Sequence, residues 1–247
     1  MRAVRMGTAM LLGWALAMPP ALGQSAEDRV GNLMTPTAAE SQMPQGDIPI
    51  YKPRKQNAPK GRIGGGIRGG DGPALYVLAP DHVGFTKEEH PSLFWYLSKT
   101  TTLPLEFTLT DTRATKPIIE KPLSAPVQPG VQRISLKELK ISLEPGVQYK
   151  WFITLNVGSE SFSKNVVVGG TIERIPFIEA LSIHMGPPAK NGDAVNRYAE
   201  AGLWYDAIAT LSEMIEATPD DRKLKKYRAS LLQQVGLWEV AKHDSQD

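Results

Sequence analysis

The 247-residue chain contains no cysteine. Disulfide bonds, thiol nucleophiles and cysteine-ligated zinc are therefore excluded, and the domains have to fold by burial alone. The sequence also lacks a Gly-x-Ser-x-Gly elbow, a His-Glu-x-x-His motif and a phosphate loop ending in Gly-Lys-Ser/Thr. It consequently nominates no catalytic residue, no metal ligand and no cofactor.

The chain also lacks a real excess of either charge. It has 28 basic and 26 acidic residues, and Arg2 and Arg5 are the only charged residues among the first 23. The remaining chain is therefore neutral, with 26 of each. Its bulk charge does not suit a nucleic-acid-binding protein. With 41% hydrophobic and 22% charged residues, it is not a disordered polyelectrolyte either.

No hydrophobic run is long enough to span a bilayer, which needs about 20 residues. The longest run, at 8–18, follows Arg2 and Arg5 and precedes Pro19-Pro20 and the small residues of 21–23. This order predicts a signal peptide over 1–23. We expect a periplasmic or secreted protein with no transmembrane segment after signal cleavage.

Residues 24–73 are predicted to form a disordered linker that contains a basic, glycine-rich arm. No acid lies between Asp47 and Asp71. The six bases of the arm are Lys52, Arg54, Lys55, Lys60, Arg62 and Arg68. Two interpretations remain open: a flexible tether, or a strip that contacts an anionic surface such as lipid headgroups, cell-wall polymer or an acidic protein face.

From 74 to 174, apolar and polar residues alternate with a period of two, as in Leu105, Phe107 and Leu109. The predicted strands cover residues 75–79, 93–97, 105–110, 117–123, 131–136, 147–155 and 166–172. Seven short strands in about a hundred residues predict a mainly β fold with an antiparallel sandwich of the immunoglobulin or fibronectin type III kind.

The segment Leu143 to Tyr149 resembles the tyrosine corner of fibronectin type III-like domains. There the tyrosine hydroxyl bonds back to the chain that enters the strand, and a leucine packs beneath it. In such a sandwich we expect Trp95 and Trp151 to be core residues.

Residues 175–247 show a helical period. Gly202-Leu203-Trp204-Tyr205-Asp206-Ala207 recurs as Gly236-Leu237-Trp238-Glu239-Val240-Ala241, 34 residues later, which is the tetratricopeptide period. Only one full period exists, so we predict a small tetratricopeptide-like helical region that packs on the sandwich. A basic cluster at 222–228 is interpreted as a solvated helix face.

One loop carries the right residue types for a divalent metal but no known ligand spacing. It contains Asp81, His82, Glu88, Glu89 and His90. Since loops between strands are usually polar, we predict no metal site there. His184 and His243 stand alone in the sequence.

Several segments taken together resemble the bacterial family catalogued as domain of unknown function 928. They include Tyr51-Lys52-Pro53, Gly61 to Gly66, Pro91 to Tyr96, Tyr149-Lys150-Trp151, Gly170 to Arg174 and Arg197 to Ala207. The resemblance implies an exported protein. It implies no activity, because none is assigned to that family.

The sequence thus favours a non-enzymatic interaction or adaptor protein of the bacterial envelope, whose partner is an envelope protein or an anionic surface. The six arm bases are the candidate binding residues. A first alternative is a carbohydrate or cell-wall binding module that stacks sugars on Phe94, Tyr96 or Phe152, provided that the outer sheet face is uncovered. A second alternative is a hydrolase with an unrecognised site.

Overall fold

Eight strands and four helices follow one another along the chain. The computed structural model describes residues 48–54, 61–64, 72–157, 165–176 and 191–246, all within one compact unit, Glu40–Asp247. The strands are β1 Leu75–Val77, β2 Gly84–Thr86, β3 Ser92–Leu97, β4 Leu105–Asp111, β5 Ile119–Leu123, β6 Gly130–Ser135, β7 Gln148–Leu155 and β8 Val166–Arg174. The helices are α1 Asn191–Glu200, α2 Trp204–Ala217, α3 Arg222–Gln234 and α4 Trp238–Gln246.

The strands form two sheets. The smaller sheet has the order β1-β3-β6, and the larger has the order β2-β8-β7-β4-β5. All neighbours are antiparallel except β2 and β8, which are parallel. Residues of both sheets meet in one hydrophobic core. The mainly β prediction with a helical region is therefore confirmed.

The described residues contain eight strands, not the predicted seven. The strand that the sequence analysis missed is Gly84–Thr86. All three of its residues are buried, because it pairs with β8 on one side and Gly84 lies against the ring of Tyr205. A fully buried three-residue strand has no alternating pattern, so the prediction took it for part of a loop.

The two contacts expected around Tyr149, a hydrogen bond between its hydroxyl and the preceding chain and a buried leucine, are both present. Its hydroxyl accepts a hydrogen bond from the Glu144 N–H at 3.0 Å, and Leu143 is buried nearby in the same core. Trp95 and Trp151 are both buried, so the prediction that they are core residues is confirmed.

The helical region packs directly on the sandwich. In the first turn of α2, the Trp204 indole donates to the Leu78 carbonyl at 2.8 Å. The Trp151 indole donates to the Tyr205 hydroxyl at 3.0 Å, and that hydroxyl donates to the Thr171 carbonyl at 3.1 Å. Because the helices share the sandwich core, β3 is buried on both of its faces.

The two copies of the repeated motif have the same local geometry. Gly202 and Gly236 have φ angles of +72° and +74°, which glycine adopts at little steric cost. The next leucine is buried in both copies, but Trp204 is fully buried whereas Trp238 is 64% exposed.

The basic cluster of α3 is not entirely a solvated face. Arg228 is buried, and its guanidinium donates to the buried Asp244 carboxylate of α4 at 2.6 and 2.7 Å. Lys223 and Lys226 are exposed, as expected.

No helix in the described ranges is both long and apolar enough to cross a membrane.

Two segments of the predicted linker, 48–54 and 61–64, are packed on the fold. Tyr51 is buried, and its N–H donates to the Gln234 side chain at 2.8 Å. Ile63 exchanges both backbone hydrogen bonds with Gly169 of β8, each at 2.8 Å. These two segments are held on the fold, whereas the sequence predicts a disordered linker there; some of their partners, such as Gly169 and Gln234, lie more than a hundred residues further along the chain. The rest of 24–73, except 72–73, lies outside the described residues.

Candidate functional site

A cleft of about 390 Å³ lies between the sandwich and the helices. It is lined by both sheets, by the loop between β2 and β3, and by α1 and α2. The lining includes Thr86, Glu88, His90, Arg133, Tyr198, Asp206 and Glu213. Most of these side chains carry a hydroxyl or a charge, so the cleft suits a polar or charged ligand rather than an apolar one.

Asp206 is the buried ionisable group of the cleft. It lies in the first turn of α2 and is 4% exposed. Its carboxylate accepts a hydrogen bond from the Lys87 N–H at 3.1 Å, and another from the Thr86 hydroxyl. Burial raises the pKa of Asp206 to about 7 and the charge of Glu88 adds to this effect, whereas Lys87 and the hydrogen bonds oppose it. Asp206 therefore gains or loses its proton near neutral pH.

A charged lysine stands beside Asp206. The Lys87 ammonium contacts the Glu88 carboxylate and lies 5.4 Å from the centre of the Tyr198 ring. Burial by itself lowers the pKa of Lys87, but Glu88, Tyr198 and Asp206 outweigh burial and raise it. The ammonium stays protonated; Lys87 does not itself line the cleft, and its charge is paired with Glu88, which does.

Two other side chains of the cleft, those of Arg133 and His90, are held by neighbours. Arg133 lies 3.8 Å from Glu216. The His90 Nδ1 is 2.7 Å from the Ile141 carbonyl, and its Nε2 is 3.9 Å from Glu89. The His90 ring and the Arg133 guanidinium are therefore positioned by contacts within the protein. A ligand that binds them would remove less conformational entropy from these side chains.

Three of the six predicted binding bases are described, and each makes contacts within the fold. Lys52 lies 3.5 Å from Glu200. Arg54 donates to the Ala201 carbonyl at 3.0 Å. Arg62 donates to the carbonyls of Ala79 and Val235, both at 3.0 Å, and burial lowers its pKa although Asp81 opposes this. The other three bases, Lys55, Lys60 and Arg68, lie outside the described residues.

The acidic and histidine-containing loop divides between two places. Glu88 and His90 line the cleft. Asp81 and His82 lie elsewhere: the His82 ring is 2.9 Å from the Asp81 carboxylate and 2.8 Å from the Tyr51 hydroxyl. Within the described part of the chain, no three His, Asp or Glu side chains are close enough together to hold a metal ion. His184 is not among the described residues.

The aromatic rings expected to stack on sugars do not form an open platform. Phe94 and Tyr96 are buried, and the Tyr96 ring lies 5.0 Å from the ring of His243 in α4. Phe152 is half-buried against Gly169. The helices cover the outer face of the three-stranded sheet, so the condition attached to that prediction is not met for Phe94 and Tyr96.

Sequence reasoning missed Asp206, which lies in the repeated motif that we interpreted as a packing element. The equivalent residue of the second copy, Val240, is apolar and buried. One signal was present: Asp206 interrupts an otherwise apolar run from Leu203 to Ile208. An acid within a helix face that is buried throughout predicts a perturbed carboxylate.

Comparisons with known proteins assign no activity. A family model described as Domain of Unknown Function (DUF928) matches residues 63–245. No curated protein matches the chain at a significant level. Among solved structures, a multi-domain immunophilin from Arabidopsis thaliana aligns with 79% of this chain and 99% of its own, at 10% identity and a TM-score of 0.17. So low a score says nothing about the fold or the function of this chain.

Proposed function

This chain belongs to the family described as Domain of Unknown Function (DUF928), and we propose its function from the geometry of the structure. We propose that the protein is a non-enzymatic interaction protein of the bacterial envelope and that it binds a polar segment of a partner in the Asp206 cleft. We also propose that the mature protein is periplasmic or secreted, and the support for this is the signal peptide that the sequence predicts over 1–23.

The cleft is the observation that carries this proposal. Its volume of about 390 Å³ is in the range of sites that hold a small molecule or a few side chains. Its lining combines a titratable carboxylate, that of Asp206, with the guanidinium of Arg133. Such an arrangement recognises hydrogen-bonding and charged groups, which suits the binding of a partner segment.

The order of the strands supports a more specific fold assignment. We propose that the sandwich is of the immunoglobulin or fibronectin type III kind, since two sheets of order β1-β3-β6 and β2-β8-β7-β4-β5 carry a tyrosine corner at Tyr149. We assign the helices to the tetratricopeptide-like class because α2 and α4 begin at equivalent points of a 34-residue repeat.

A cell-wall saccharide in the same cleft is the second candidate. Ser92, Ser135, Thr210 and Tyr198 contribute hydroxyl groups to the lining, and Glu213 contributes a carboxylate. Sugars are bound through many such hydrogen bonds. The proposed carbohydrate site is then the cleft, and not the sheet face with Phe94, Tyr96 and Phe152.

Site-specific cross-linking in cells tests the proposed function. A photoreactive residue replaces the exposed Glu213 at the cleft, and in the control it replaces the exposed Lys150 on β7. We expect a discrete protein adduct from position 213 and none from 150. Ala209→Trp, which fills the cleft, should abolish the adduct while the circular dichroism spectrum stays unchanged.

Three outcomes would reject or redirect the proposal. Equal labelling from both positions, or labelling that survives Ala209→Trp, would rule out the cleft as a partner site. Adducts that disappear on digestion with a muramidase, but not with a protease, would favour the saccharide.

A further inference from the structure

The three most exposed large hydrophobic residues of the described chain lie on two segments that the Gln234 side chain holds together. Trp238 is 64% exposed, Ile50 is 60% exposed and Ile48 is 56% exposed. The Gln234 side chain joins their segments: its amide donates to the Pro49 carbonyl at 2.8 Å and its oxygen accepts from the Tyr51 N–H at 2.8 Å. Ile48 and Ile50 therefore flank the last turn of α3, and Trp238 begins α4 four residues after Gln234.

The repeated motif does not by itself expose its tryptophan, because only the second copy, with Trp238, leaves the indole at the surface. Trp204, at the same place in the first copy, is completely buried on the sandwich. Both tryptophans follow a glycine of nearly identical φ angle and a buried leucine. The second copy thus presents to the outside the indole that the first copy uses for packing.

Lysines extend this apolar group. Lys223, Lys226, Ser230 and Gln234 follow one another at intervals of three or four residues, so they share one side of α3. Both lysines are exposed. On α4, the exposed Lys242 lies one turn after Trp238.

The acids close to this surface do not cancel the lysines. Lys52 of the 48–54 segment pairs with Glu200 at 3.5 Å. Three other acids adjoin this surface, Asp220 and Asp221 before α3 and Glu239 next to Trp238. The exposed Arg222 and the three lysines Lys223, Lys226 and Lys242 outnumber these acids. We call the surface formed by Ile48, Ile50, Trp238 and these three lysines the docking face.

We propose that the docking face binds the surface of a bilayer that contains anionic lipids. An exposed indole prefers the region between lipid headgroups and acyl chains, and the two isoleucines add apolar area at the same level. The lysines attract anionic headgroups while their alkyl stems lie along the apolar surface. Contact of this kind is peripheral and needs no spanning helix. It is independent of the Asp206 cleft.

Vesicle binding tests the proposal. The probe is a vesicle of phosphatidylcholine with about one-third phosphatidylglycerol, added to the protein in the form recovered from its cells. We expect binding to the vesicles to become weaker as salt is added. The double substitution Trp238→Ser with Ile50→Ser should weaken binding about tenfold or more, since burial of an indole and an isoleucine is lost. The matched control is Ile118→Ser with Val157→Ser, two other exposed apolar positions.

A second pair of variants tests the charge. Lys223→Gln, Lys226→Gln and Lys242→Gln together should weaken binding several-fold and remove most of its salt dependence. Lys116→Gln, Lys121→Gln and Lys150→Gln remove the same charge from exposed sites elsewhere and should change much less. All these positions are at the surface, and thermal melts verify that each variant is folded.

Brominated lipids give a readout specific to the indole. They should quench part of the intrinsic fluorescence of the parent protein, and Trp238→Phe should remove that part. No binding to the anionic vesicles, or equal binding by docking-face and control variants, would overturn the proposal. Binding to soluble polyglutamate without binding to vesicles would also overturn it, in favour of an acidic protein surface.

Discussion

At the scale of single residues, Asp206 is the group of the cleft whose carboxylate behaves unlike that of an aspartate in water. Its carboxylate is buried where α2 meets the loop after β2, and burial raises its pKa from 3.8 to about 7. The hydrogen bonds from Lys87 and Thr86 hold it in place but do not replace full solvation. Asp206 is therefore both a structural link and the titratable group of the cleft.

This shift makes stability depend on pH. Between about pH 4 and pH 7 the unfolded chain releases the proton of Asp206 while the folded chain keeps it. The free energy of unfolding should therefore fall as pH rises through this range, by up to about 4 kcal/mol. Asp206→Asn should remove that fall, which urea titrations at several pH values measure.

The matched control is Asp111→Asn. Arg113 hydrogen-bonds the half-buried Asp111 and lowers its pKa, so this carboxylate contributes in the opposite direction and below pH 4. If both variants keep the same slope between pH 4 and 7, Asp206 does not titrate as described.

At the scale of elements, the packing of 48–54 on the helices depends on a residue without a side chain. A Cβ on Gly202 would lie 2.4 Å from the Arg54 Cγ and 2.7 Å from the Lys52 carbonyl oxygen. Gly236 has almost the same φ angle, but a Cβ there would come no closer than 3.8 Å to the Arg62 guanidinium. Only the first glycine combines the turn conformation with a close approach of the chain.

Alanine substitution separates these two requirements. Gly202→Ala and Gly236→Ala both place alanine at a positive φ, which costs about 1 kcal/mol each. Gly202→Ala should destabilise the protein by at least about 1 kcal/mol more, because the 48–54 segment has to move. It should also speed proteolysis near Arg54. Chemical denaturation and limited trypsin digestion measure the two effects, and equal losses would contradict the account.

Elements also show where local patterns are informative. β4 and β7 follow the alternation of buried and exposed residues along their whole length, so the sequence predicts them well. β2 lacks alternation because both of its faces are covered. The 48–54 segment is short and rich in proline, and its fixed position follows only from partners such as Gln234. No local window contains that information.

At the scale of the whole molecule, helices and sandwich form one core. The Trp151 indole, the Tyr205 hydroxyl and the Thr171 carbonyl make a buried chain of hydrogen bonds between the layers. Sequence patterns identify the two regions separately. They cannot show that β3 is covered on its outer face, nor that a cleft forms where the layers meet, because both depend on packing between distant segments.

Tyr205→Phe tests this coupling. The substitution leaves the Trp151 N–H buried without its acceptor, which costs about 1–3 kcal/mol. We expect one cooperative unfolding transition in both proteins, with fluorescence and far-ultraviolet circular dichroism coinciding. Tyr227→Phe in α3 is the control and should cost less. Separate transitions for sheets and helices would show that the layers fold independently.

The contacts of Tyr51 also set an order of events during synthesis. Ribosomes make this segment early, yet its partner Gln234 lies 183 residues later. Until α3 has emerged, the Tyr51 N–H and the Pro49 carbonyl lack their Gln234 partner, and a chaperone has access to this backbone. The contact between the 48–54 segment and α3 therefore forms late in synthesis. A chain that stalls anywhere before α3 cannot form it.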